Sequence, residues 1–310
     1  MHGIHHVTAI AGRPARNLAF YTGTLGLRFV KRTVNFDDPG TYHFYFGDEL
    51  GHPGTILTFF PWEHATPWRG GVGLTQTTAF RVPAEAMGFW VQRLVEKGVA
   101  CEAPARRFGE PVLAFTDPDG MALALVGVRG AEAEPTWSGG DIPPEYAIRG
   151  FHGVTLMLDK AAPTEAILTD VLGFHAAGRE GSLQRYRANG GAGGVVDINE
   201  VGGFLAGRMG RGAVHHVAFR AAGDAEQALM ARKLAESHGI DATEPKDRQY
   251  FRSVYFFEPG GVLFEIATDE PGFTIDEPQA TLGAALKLPA FLEPRRREIE
   301  AALPALEGAA

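Results

Sequence analysis

The chain has 310 residues, of which 45% are hydrophobic, and a formal net charge of −8, which is enough length and apolar content for two domains with real cores. No apolar run approaches the roughly 20 residues of a membrane span and no basic-then-apolar leader opens the chain, so a cytoplasmic protein with no membrane partner is expected. The acidic balance, without a Lys/Arg block, argues against a nucleic-acid partner, and the single Cys101, read as a small buried hydrophobe, excludes an internal disulfide.

In chain order the predicted elements fall into four units, each reading strand, helix, then several strands. The strands rest on period-two alternation and β-branched or aromatic content, the helices on apolar spacing such as Met87, Trp90, Val91 and Leu94. Unit one (1–65) runs from IHHVTAI through the helical ARNLAFYTGTLG and the strand TYHFYFG to GTILTFF. Unit two (72–130) runs from TTAFRV through AEAMGFWVQRLVEKGV and PVLAFTDPDG to MALALVGV. A Pro-rich linker over 131–149 follows. Unit three (150–204) runs from FHGVTLML through APTEAILTDVLGF and LQRYRA to GGVVDINEV, and unit four (212–270) from VHHVAFR through DAEQALMARKLAESHGI and SVYFFEPGG to VLFEIAT.

TDPDG at 116–120 and FEPGG at 257–261 are matching turns before the last strand of units two and four, which sets the register between those units. The tail from 271 to 310 is expected to form one or two helices packed on a domain or a partner, with EPRRREIE at 293–300 a solvated helix face. Glycine-rich NGGAGG (189–194) and GRMGRG (207–212) lack the strand-to-helix setting of a phosphate loop and read as loops.

The first strands of units one and four each carry a His-His-Val run, at His5–His6 and His215–His216. In the same register unit three has Gly153 at the second position and unit two has no histidine. In the last strands, Glu265 of the apolar run VLFEIA matches Ala124 in unit two and Thr58 in unit one. An ionised carboxylate buried among Leu, Phe and Ile needs a compensating cation. Two histidines and that glutamate make a two-His-one-carboxylate set, which suits non-haem Fe(II) with open positions and overlaps the preferences of Mn(II). Alternation puts His6 with Thr8, and His216 with Ala218, on one face, but does not choose which histidine of each pair binds. The remaining histidines, His43 and His152 among them, have no matching pattern.

Four such units with a metal triad resemble the vicinal oxygen chelate superfamily, which holds glyoxalases, extradiol dioxygenases and bleomycin-resistance proteins. The stretch NLAFYTGTLGLRFVKRTVNFDDPGTYHFYFGDELGHPGTILTFFPW at 17–62 resembles the ring-cleaving hydroquinone dioxygenases. The resemblance implies an α+β fold of four βαβββ modules forming two open-barrel domains. It also implies His6, His216 and Glu265 as ligands, so that units one and four share a metal barrel and units two and three pair in a metal-free one. RQYFRSVYFFEPGGVLFE at 248–265 is similar to the extradiol signature at Tyr255, Glu258, Pro259, Gly261 and Glu265, with Arg248 where catechol-cleaving members carry a histidine. Arginine stays protonated and cannot serve as a base. The resemblance therefore implies an Fe(II)-dependent dioxygenase acting on a substituted para-hydroquinone and O2, with His5, His215, Arg248 and Tyr255 around the substrate. Thr8, on the His6 face, is expected to hydrogen-bond in the pocket. The competing readings are an extradiol catechol dioxygenase, a glyoxalase-like isomerase or lyase, and a non-enzymatic small-molecule binder. Homo-oligomerisation through the barrel edges or the tail is left open.

Overall fold

A computed structural model describes residues 3–306. Unit one forms β1 (Ile4–Ala11), α1 (Pro14–Ala19) extended by a π-turn over Phe20–Thr24, β2 (Arg28–Asn35), β3 (Asp38–Gly47) and β4 (Ile56–Pro61). Unit two forms β5 (Leu74–Pro83), α2 (Met87–Glu96), β6 (Ala105–Arg107), β7 (Glu110–Thr116) and β8 (Ala122–Val128). Unit three forms β9 (Phe151–Leu158), α3 (Ala162–Asp170), β10 (His175–Glu180), β11 (Leu183–Arg187) and β12 (Val195–Glu200). Unit four forms β13 (Val214–Ala221), α4 (Asp224–His238), β14 (Lys246–Asp247), β15 (Arg252–Phe257) and β16 (Leu263–Thr268). Pro14 starts α1 without loss, since an N–H there has no helical partner.

The strands make two curled eight-stranded sheets, an α+β architecture of two half-barrels. One sheet runs β14-β15-β16-β13-β1-β4-β3-β2 and joins units four and one; the other runs β10-β11-β12-β9-β5-β8-β7-β6 and joins units three and two. Each sheet is centred on an antiparallel pair of first strands, β1 with β13 and β5 with β9. Their inner faces and the helices share one large apolar core, which includes Tyr21, Trp90, Phe151 and Phe264.

The two matching turns work alike. The Asp117 carboxylate accepts backbone N–H bonds from Asp119 and Met121, and the Glu258 carboxylate accepts them from Gly260 and Val262. Each is also bound by a hydroxyl from the helix of the unit before it: Tyr21 donates to Asp117 and Thr164 to Glu258. Carboxylates thus satisfy turn N–H groups that the strands cannot.

The linker is packed rather than free. Ile142, Ala147 and Ile148 are buried, and Arg93 donates to the Thr24 carbonyl and to Asp141. Among its described residues the tail contains a single α-helix, α5 (Arg296–Ala302), because Pro289 and Pro294 interrupt the preceding run. Leu288, Leu292 and Ile299 cover Val34, while Arg295 and Arg296 pair on the solvent side with Glu298, Glu293 and Glu300. Among the described residues no helix is long and apolar enough to cross a membrane. Cys101 is half-buried beside Phe115, not enclosed as expected. The 189–194 loop ties the sheets together, with Ile4 N–H donating to the Gly193 carbonyl at 2.9 Å.

Candidate active site

The sheet register places the site. Across β1 and β13, His6 faces Ala218 and Thr8 faces His216, so the two second histidines are diagonal neighbours on one face. Ala218 in turn faces Glu265 on β16, and Glu265 faces Tyr255 on β15. One row of the curled sheet therefore reads Tyr255, Glu265, Ala218, His6; the next reads His216, Thr8, Thr58, Tyr45.

His6, His216 and Glu265 bring their donor atoms within 4.8 Å of one another, all three buried. Nε2 of His216 lies 2.9 Å and Nε2 of His6 3.3 Å from Glu265 Oε2, and the two Nε2 atoms are 3.4 Å apart. These are contact distances, yet Oε2 is buried without a hydrogen-bond partner. The other carboxylate oxygen accepts from Ser253. Burial opposes a charge on Glu265, but His6 and His216 outweigh it and hold the carboxyl well below its ordinary range. Burial also lowers His216, which favours a neutral imidazole. Three lone pairs converging on one buried point, with an orphaned oxygen among them, fit a divalent cation.

The first histidines stand behind the second ones. His5 Nδ1 is 2.9 Å from His6 Nδ1, and His215 Nδ1 is 2.8 Å from His216 Nδ1. A hydrogen bond through each Nδ1 pair leaves both Nε2 atoms of His6 and His216 directed at the shared centre, the usual way a neighbour fixes a ligand's tautomer. Burial drives His5 far below its ordinary pKa; burial and then His216 push His215 down to about 4.

A cavity of about 340 Å³ opens over the triad. His215, Arg248 and Tyr255 line it, together with Phe36, Trp62 and Lys246. Arg248 Nε donates to the Tyr255 hydroxyl at 3.1 Å and its Nη2 pairs with Asp37 at 3.1 Å. Burial opposes that guanidinium's charge, but Tyr255 and Asp37 outweigh it, so Arg248 stays protonated.

Two sequence expectations need correction. His5 is 1% exposed, packed against Phe251 beneath the triad, and does not line the cavity. Thr8 is wholly buried and bonds Thr58 Oγ1 at 2.8 Å instead of reaching the pocket. Strand alternation gave the right face for Thr8, but the neighbouring strand's Thr58 closes over it.

Sequence reasoning missed His43 and Tyr45, which line the cavity. His43 Nε2 lies 2.9 Å from Thr58 Oγ1, and its Nδ1 2.8 Å from the Tyr45 hydroxyl. The TYHFYFG alternation was the available signal, since it sets Tyr45 and His43 on one face with the strand pointing into the half-barrel.

Among the described residues the other half-barrel has no such set. His152 pairs with Glu110 at 3.2 Å, and Arg185, fully paired, bridges Glu110 and Asp197. A guanidinium held by two carboxylates fills this half-barrel, whose cavity shrinks to about 20 Å³.

Comparisons with known proteins agree with this fold. The family model for the glyoxalase/bleomycin resistance protein/dioxygenase superfamily matches residues 3–125 and 150–266. The chain is 48% identical to MhqO of Bacillus subtilis (strain 168), whose name places it among ring-cleaving dioxygenases, over 97% of this chain and 95% of that one. It is 34% identical to a chlorohydroquinone/hydroquinone 1,2-dioxygenase of Sphingobium indicum, over 96% and 94%. A crystal structure of a Bacillus subtilis protein described as a dioxygenase superposes with a TM-score of 0.94 at 47% identity, covering 98% of this chain and 97% of that one.

Proposed function

The chain belongs to the glyoxalase/bleomycin resistance protein/dioxygenase superfamily, and from that premise we propose that it is a ring-cleaving dioxygenase acting on a substituted para-hydroquinone and dioxygen. His6, His216 and Glu265 would hold Fe(II), with Mn(II) a compatible ion. The observation that carries this reading is the orphaned Glu265 Oε2, buried at contact distance from two imidazole nitrogens. The names of the relatives add the ring-cleaving chemistry and the hydroquinone substrate.

Lewis acidity toward a phenolic hydroxyl and a place for dioxygen beside it are what the cation supplies when bound. The chain's own groups divide the remaining work. Phe36, Phe60 and Trp62 give the cavity apolar walls suited to an aromatic ring. Arg248 holds a permanent positive charge over the pocket and stabilises anionic forms of the ring and its cleavage product. Its bond to Tyr255 occupies the phenol oxygen and leaves the phenol proton free to donate to a substrate oxygen. His215 lines the pocket, and because its Nδ1 accepts from the His216 Nδ1–H, its Nε2 carries its proton and is suited to donate to a substrate oxygen. His5 orients His6 from beneath.

The decisive experiment is dioxygen uptake by protein loaded anaerobically with Fe(II), offered methylhydroquinone and catechol in parallel. Uptake with the hydroquinone alone is expected. Uptake with catechol alone would move the assignment to extradiol cleavage, and uptake with neither would remove the dioxygenase reading.

A further inference from the structure

The two flanks of the metal-bearing sheet repeat one construction. On β15 and β16, Tyr255 faces Glu265, and Ser253, two residues before Tyr255, hydrogen-bonds the Glu265 carboxylate. On β3 and β4, Tyr45 faces Thr58, and His43, two residues before Tyr45, hydrogen-bonds the Thr58 hydroxyl. Thr58 therefore stands at the corner equivalent to Glu265, and Tyr45 at that equivalent to Tyr255. Both phenols line the same cavity from opposite flanks, with β16, β13, β1 and β4 between their strands.

The hydrogen-bond chain behind Tyr45 has a direction. His43 is held neutral, chiefly by burial, so one ring nitrogen donates and the other accepts. Thr58 Oγ1 has one proton and two neighbours, Thr8 Oγ1 at 2.8 Å and His43 Nε2 at 2.9 Å. Thr8 is fully buried, and among the described residues Thr58 is the partner of its hydroxyl. If the chain ran from Tyr45 toward Thr8, the buried Thr8 proton would have no acceptor. Run the other way, every buried proton is used: Thr8 donates to Thr58, Thr58 to His43 Nε2, and Nδ1–H to the Tyr45 oxygen. The Tyr45 proton is then free and belongs to the pocket, as the Tyr255 proton is on the other flank.

We infer that Tyr45 is a substrate-recognition residue whose hydroxyl donates to the substrate oxygen remote from the metal ligands, and that His43, Thr58 and Thr8 are positioning residues that set the direction of this bond. The inference rests on reading the cavity as the site of a dihydroxy ring. Two phenol donors on opposite flanks suit a flat ligand with an oxygen at each end, and a ring with one oxygen leaves Tyr45 without its partner.

The test is anaerobic calorimetric titration of Zn(II)-loaded protein, in which the metal does no redox chemistry, with hydroquinone and with 4-methylphenol, which keeps the ring and loses the second oxygen. Wild-type protein is expected to prefer hydroquinone by about tenfold, the scale of one unpaired buried polar group. Tyr45→Phe keeps the ring that packs in the core and should reduce that preference to within about threefold by weakening hydroquinone alone. Thr58→Val, which touches no ligand, should reduce it as well, because the chain behind His43 then loses its direction. Zinc content and melting midpoint establish that each variant is folded. An equal preference in Tyr45→Phe and wild type overturns the inference with the functional reading intact. Failure of wild-type protein to bind either phenol overturns the functional reading itself.

Discussion

The Nδ1 atoms of His5 and His6 lie 2.9 Å apart, and those of His215 and His216 repeat the relationship at 2.8 Å on the partner strand. Each His-His pair is thus a candidate ligand with the group that sets its tautomer beside it. Glu265 has no such substitute, being wholly buried with one oxygen unpartnered. Glu265→Gln should therefore abolish stoichiometric Fe(II) binding, while His5→Phe should weaken it by about 10- to 100-fold, as loss of a ligand's supporting partner does. Anaerobic metal titration followed by elemental analysis reads both. Full metal occupancy in Glu265→Gln would sink the triad.

Much of this site was legible because two repeats departed from their sisters in the same way. His6, His216 and Glu265 sit where the other units have Gly153, Ala124 or Thr58, and a buried carboxylate in VLFEIA demands a reason. For His43 the alternation of its strand gave a face but not a role, because that role comes from Thr58 across the β3–β4 pairing, and no sister unit marks it. His5 and His215 look equivalent in sequence, yet one is sealed beneath Phe251 and the other borders the pocket beside Trp62. That difference lies in what covers each strand end. The edge strand β10, HAAGRE, is exposed along its whole length and carries no alternation, so only its pairing with β11 defines it.

Arg248 and Asp37 form an ion pair at the cavity whose two ends differ in exposure: Arg248 is 18% exposed, while Asp37, at the rim, is 64% exposed. Arg248→Gln should lower kcat with methylhydroquinone by about 10²- to 10³-fold, the effect of removing a preorganised charge from a developing anion. Metal content should not change. Asp37→Asn should alter kcat by less than about threefold, since exposed pairs contribute little. Steady-state oxygen uptake for both variants checks this, and an equal loss in the two would mean that the pair acts only as a structural clamp.

In the second half-barrel, burial opposes ionisation of Glu110, but His152 and Arg185 outweigh it and depress its pKa from 4.5 to about 2. A carboxylate depressed on folding contributes stability above its unfolded pKa and loses it as pH falls toward the folded value. The window is therefore about pH 4.5 down to about 2, and the contribution at stake is on the order of 3 kcal/mol at most. Glu110→Gln should be less stable than wild type at neutral pH and flatter across that window. Denaturant midpoints measured between pH 6 and pH 2.5 check it; parallel curves for the two proteins would assign the acid sensitivity elsewhere.

Gly153 stands where His6 stands in unit one, and its surroundings explain why no ligand does. β9 runs parallel to β12 with Gly153 opposite Val195, and a Cβ at residue 153 would meet the Val195 carbonyl oxygen at 2.1 Å. That oxygen is backbone, so relief requires moving a strand. Arg185 and Asp197 already fill the space beyond with a bidentate ion pair. Overpacking of this kind costs about 1–3 kcal/mol, so Gly153→Ala should lower the melting temperature while leaving Fe(II) stoichiometry unchanged, because the triad lies in the other sheet. Calorimetry together with metal analysis reads the two effects separately. Loss of metal in Gly153→Ala would mean that the two half-barrels fold as one cooperative unit, through contacts such as Gly193 with Ile4, whereas an unchanged melting temperature would mean that β9 and β12 separate at little cost.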